Sequence, residues 1–160
     1  MKTRNTCEKI IRNFFDIPVE INDRFCSCIE LDMRMRADGI IVSAQPIKFT
    51  ITTNCESDET MVSYMSPKLK ETAELYHPKL VGILHEIGHA YTMAGTNYKR
   101  NKRRKKRIAH DDRVTYKRAN EIYRQIEDEA LADKWAIQWL IDNPDRALEW
   151  SNKLCEEFPV

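Results

Sequence analysis

The sequence predicts an α+β fold, with a small sheet in the first half and helices in the second. Three observations carry this. Alternating and β-branched runs fall between residues 25 and 52, and apolar residues recur at helical spacing after Pro67. No apolar stretch approaches the ~20 residues of a membrane span. The 160 residues suit a single domain, 1–160, large enough for its own core.

The elements follow in order. Residues 7–15 place Ile10, Ile11, Phe14 and Phe15 on one helical face, and Asp16 to Pro18 end that helix. In residues 25–35, Ile29, Leu31, Met33 and Met35 alternate as in a strand. Asp38-Gly39 signals a turn. Residues 40–42 and 47–52 read as two short strands split by Pro46, and residues 61–65 as a further strand. Pro78 suits the first turn of a helix that Gly95 stops after Ala94. From Tyr116 to Ile141 no Gly or Pro interrupts a long amphipathic helix, which Asn143-Pro144 closes. A last helix runs from Pro144 to Cys155.

Composition bounds the setting. Met1 to Phe15 lacks the apolar stretch of a signal peptide, so a cytoplasmic protein is expected. Five Cys at irregular spacing argue for reduced thiols, and Cys26-Ser27-Cys28 is one residue short of a metal knuckle. Residues 99–107 hold eight positive charges, and the net charge of +1 leaves the rest at −7. This run reads as a solvated basic loop, with nucleic acid or an acidic partner as the alternative.

The motif that carries chemistry is His85-Glu86-Ile87-Gly88-His89. Two His four apart on a helix share a face and reach one metal ion, here Zn2+. Glu86 lies between them, placed to take a proton from metal-bound water. Val81, Ile83, Leu84, Ile87 and Ala90 make the helix apolar, and burying these polar side chains without a shared purpose is costly.

Three protein ligands are needed, and the chain offers His110 or the carboxylates of 127–133. Thr92 and Gly95 stand where a metzincin has Gly and His, which excludes that class. Glu129 and Asp133 share a helix face, beside the small residues Ala130, Ala132 and Ala136. Glu129 can complete the site, and Asp133 can accept the N–H of a ligand His and fix its tautomer. His110, Tyr91, Tyr98 or Tyr116 are candidates for a transition-state donor.

The two segments, His85-Glu86-Ile87-Gly88-His89-Ala90 and Glu129-x-x-Ala132-Asp133-x-Trp135-Ala136, resemble the gluzincin zinc metallopeptidases. They are most similar to the ImmA/IrrE-like family. The likeness covers about 25 of the 160 residues. It implies a zincin-like fold, a small sheet beside the metal-binding helices; the forty residues from His89 to Glu129 exceed the family's spacing, and the excess is largely the basic loop 99–107 inserted between the helices. It also implies zinc on His85, His89 and Glu129, with Glu86 as general base. Asp133 stands where the family has Asn. The expected function is a hydrolase, a metallopeptidase that cleaves a specific intracellular protein; a transcriptional regulator is suggested by the resemblance alone. Two rivals stand beside it: a SprT/Spartan-like DNA-associated protease using His110, and a zinc-stabilised binding module without turnover.

Overall fold

The computed structural model describes residues 5–22, 27–52, 62–63 and 65–159. It is α+β: a three-stranded mixed sheet and, among the described residues, seven α-helices. The strands are β1 (Val19–Asn22), β2 (Cys28–Met35) and β3 (Ile41–Thr52), in the order β1-β3-β2. β1 runs parallel to β3 and β2 antiparallel. The helices are α1 (Asn5–Glu8), α2 (Pro67–Ala73), α3 (Pro78–Thr92), α4 (Tyr98–Ala109), α5 (Tyr116–Arg124), α6 (Glu127–Asp142) and α7 (Pro144–Glu157). No helix among the described residues is long and apolar enough to cross a membrane.

α3 is the central element. Pro78 begins it at N1, where its missing N–H has no intrahelical use. His77 caps it, its Nδ1 accepting from the Lys79 N–H, while its Nε2 meets the Phe158 carbonyl at 2.9 Å. Leu80, Val81, Ile83, Leu84 and Ile87 are buried, so most of the first three turns lies in the core, with Pro78 and Glu86 half-buried. α6 packs along α3. Gly88 makes this close, since a Cβ there would lie 2.8 Å from the Ala132 carbonyl oxygen. Phe49, Ile51, Trp139, Leu140 and Leu154 complete the core from β3, α6 and α7.

Several elements depart from the sequence expectation. The helix expected at 7–15 begins at Asn5 and becomes π-helical over Lys9–Phe14, burying Ile10 and Ile11. Of the strand expected at 25–35, residues 25–26 lie outside the described residues. The two strands split by Pro46 are one strand. Among the described residues β1 pairs with Phe49–Thr52, so at Pro46 β3 has β2 as its single neighbour. Pro46 also sits at a register shift opposite Leu31. The strand expected at 61–65 is not formed: Val62 and Ser63 are helical and Met65 is a bend, while Met61 and Tyr64 lie outside the described residues. The basic loop 99–107 is a helix, α4, capped by the Asn97 side chain on the Arg100 N–H. Lys and Arg are good helix formers, and that preference prevails over their repulsion. The long helix from Tyr116 to Ile141 is two. It breaks at Gln125 and Ile126, where Ile126 turns to extended backbone, φ −67° and ψ 140°, and is fully buried.

Candidate metal centre

α3 carries His85, Glu86 and His89, whose ligand atoms lie within 4.8 Å of one another. α6 brings Glu129 against them. Its Oε2 is 3.2 Å from His85 Nε2 and 3.7 Å from His89 Nε2. The two imidazoles lie edge to face, centroids 4.9 Å apart. His85, His89 and Glu129 are all buried. The i, i+4 spacing on one helix and the Gly88–Ala132 approach together produce this convergence.

Asp133 stands one turn beyond Glu129. Its Oδ1 accepts from His85 Nδ1 at 2.7 Å, and its Oδ2 accepts from the Ser66 N–H at 3.4 Å. Asp133 therefore keeps a proton on His85 Nδ1, and Nε2 faces Glu129. Glu86 points to the sheet: its Oε2 accepts from the Ile29 N–H at 3.3 Å. Ile29 belongs to β2, an edge strand of the sheet.

Three residues not singled out in the sequence complete the site. Arg124 Nη1 lies 2.7 Å from Glu129 Oε2 and 3.2 Å from His85 Nε2. Lys105 Nζ donates to Glu129 Oε1 and Asp128 Oδ2, each at 2.6 Å. The Tyr123 phenol is pushed up to about 12 by burial and by the charge of Glu129 beside it. No motif marks these positions. Arg124 and Tyr123 end α5 just before the break, and Lys105 comes from the run expected to be a loop.

The electrostatics follow from burial and charge. Burial opposes a charged His85, but Asp133 and Glu129 outweigh it and raise the ring to about 9. His89 is lowered by burial and by the charge of His85. Burial also opposes the charge of Glu129, yet His85, His89 and Lys105 together hold it well below the usual carboxylate range. The cluster thus holds a permanent buried carboxylate that requires cations.

The other expected residues lie elsewhere. Tyr91 is stacked on Trp135 at 4.9 Å, on another side of α3. His110 is the exposed C-cap of α4, and among the described residues it has no hydrogen bond or ion pair to the cluster. Tyr98 opens α4, with Lys102 over its ring, and Tyr116 is exposed at the start of α5. Glu129, not His110, is the residue brought to the two His. No protein-family model, curated protein or solved structure matches the chain.

Proposed function

We propose that the chain is a zinc-dependent endopeptidase. His85, His89 and Glu129 hold the metal, Asp133 orients His85, and Glu86 is the general base. The observation that carries this reading is the convergence of two imidazole nitrogens and a buried carboxylate beside Glu86. Two His and one Glu form the donor set of catalytic rather than structural zinc. His89 supports the fit: its Nδ1 is buried without a partner among the described residues, and its Nε2 meets only Glu129, beyond hydrogen-bond reach. A metal held by His89 would give Nε2 a partner, while Nδ1 would still lack one.

Bound zinc supplies a Lewis acid that polarises a peptide carbonyl and brings the pKa of water to about 7. The residues do the rest. Glu86 takes a proton from water as the C–O bond forms and gives it to the amine as the C–N bond breaks. The Ile29 N–H holds one Glu86 oxygen and leaves the other for the proton. β2, rather than residues 61–65, offers the edge for an extended substrate. Tyr123, a protonated donor beside Glu129, suits the developing oxyanion better than Tyr91 or His110. With this reading go the gluzincin and ImmA/IrrE-like resemblance, a zincin-like fold and a specific protein substrate; a transcriptional regulator rests on resemblance alone. An odd number of Cys leaves at least one thiol unpaired, which suits the cytoplasm.

Metal content tests the reading. Purified without chelator, the wild type carries one zinc per chain, whereas His85→Ala and Glu129→Ala carry almost none. His110→Ala keeps it. Asp133→Ala binds about 10–100-fold more weakly, as lost partners of ligand His residues do. A wild type without zinc sinks the proposal.

One observation favours a second reading, a metal-free ion-pair cluster. Glu129 is already paired with Arg124 and Lys105. Arg124 Nη1 also lies 3.2 Å from His85 Nε2, whose one lone pair a metal would need, so under the zinc reading Arg124 would withdraw. It has room, since it lines a cavity of about 440 Å³ between α2 and α5. Arg124→Gln therefore binds zinc about tenfold more tightly in chelator competition, while its metal-free form melts lower. A charge-assisted hydrogen bond of about 1.5–3 kcal/mol sets that scale. Unchanged affinity with lower stability favours the ion-pair reading.

A further inference from the structure

α4 carries eight basic side chains, and they divide into two sets. Arg100 meets Glu127 at 2.6 Å, and Lys105 meets Asp128 and Glu129. These pin the helix to α6, while Asn97 ties its start to Ile40 through a β-bridge. Lys99, Lys102, Arg103, Arg104, Lys106 and Arg107 are exposed, and none meets a carboxylate among the described residues. The contacts they do make leave their charge uncompensated: Lys99 with the Ala37 carbonyl, Arg103 with the Lys99 carbonyl, Lys102 over the Tyr98 ring.

Lys99, Lys102, Arg103, Lys106 and Arg107 follow i, i+3 and i+4 spacing and form one stripe. Like charges at this spacing destabilise a helix by about 0.2–0.5 kcal/mol a pair. The chain keeps Lys99–Arg103, Lys102–Lys106 and Arg103–Arg107 as such pairs, so folding does not explain the stripe. Its length at 1.5 Å per residue is about 12 Å, the width of the major groove of B-DNA, with phosphates on either side.

We propose that α4 is a docking surface for the phosphate backbone of duplex DNA, engaged without reading sequence. The partner is a duplex rather than a single strand because the helix has one aromatic ring, Tyr98, already under Lys102, and so no stacking platform. Asn101, the helix's single amide side chain and so its reader of adenine, is buried, and the six exposed groups are all cations that phosphates attract whatever the sequence. The remaining charge of −7 turns the stripe, not another face, toward the polyanion. This inference does not rest on the peptidase reading.

The test is fluorescence anisotropy of the full chain with two labelled duplexes, each about 20 base pairs and of unrelated sequence. Six cations predict a slope of log K on log salt of about −5, or about 10³ in affinity between roughly 50 and 200 mM. Both duplexes bind within about threefold of each other. Arg103→Gln reduces the slope by about 1, and replacing Lys102, Arg103, Lys106 and Arg107 together by Gln reduces it to about −2. Gln keeps helix propensity, and circular dichroism checks it. The proposal is overturned by no binding at about 50 mM salt or by an unchanged slope in the variants. Tighter binding to a single strand, or to poly-glutamate of equal charge, also overturns it and assigns the surface to that partner.

Discussion

Glu86→Gln keeps the fold and the metal and loses cleavage by about 10²–10⁴, the range of a positioned proton-transfer group. The amide has nearly the shape of the acid, and its oxygen still accepts from the Ile29 N–H, so the side chain stays in place. It has no basic lone pair at neutral pH. Both the attack on the carbonyl and the departure of the amine then lack their proton carrier. Cleavage of a labelled unfolded protein by wild type and variant, each assayed for zinc, gives the answer. Equal rates from the two discard the mechanism. A wild type that binds zinc and cleaves nothing leaves a binding module.

Gly88→Ala destabilises the protein and spoils the site together. The new Cβ falls 2.8 Å from the Ala132 carbonyl oxygen and 3.1 Å from its Cα. These are backbone atoms of α6, with no flexible side chain to give way, so α3 and α6 must separate. Overpacking costs about 1–3 kcal/mol, and a rigid backbone neighbour puts this case near the upper end. The melting temperature falls by about 6–12 °C for a chain of this size. His85 and His89 are on α3 and Glu129 is on α6, so the same displacement weakens zinc binding. A melting temperature within about 2 °C of wild type refutes the close packing.

The sequence was most informative where a local rule acts alone. Pro78, the apolar face of α3 and positive-φ Gly95 mark the motif helix to within two residues. Glu129 and Asp133 stand out by i, i+4 spacing, and the fold puts both carboxylates against His85. What escaped depends on tertiary context. The break before α6 has no Gly or Pro; it exists because Ile126 is drawn into the core and because three acids, Glu127, Asp128 and Glu129, suit a new helix N-terminus. Pro46 lies inside a strand because β1 is too short to reach it. Arg124, Lys105 and Tyr123 reach the site through two helices whose packing no spacing rule encodes.

The two-residue joint between α5 and α6 has a geometric consequence. On an unbroken helix, Arg124 and Glu129, five apart, point about 140° away from each other and cannot meet. They touch at 2.7 Å because Gln125 and Ile126 interrupt the spiral. One residue inserted or deleted there turns α5 by about 100° relative to α6. The guanidinium then leaves the cluster with every side chain unaltered. The charge balance around Glu129 is therefore set by the length of a connector as much as by the residues that meet there.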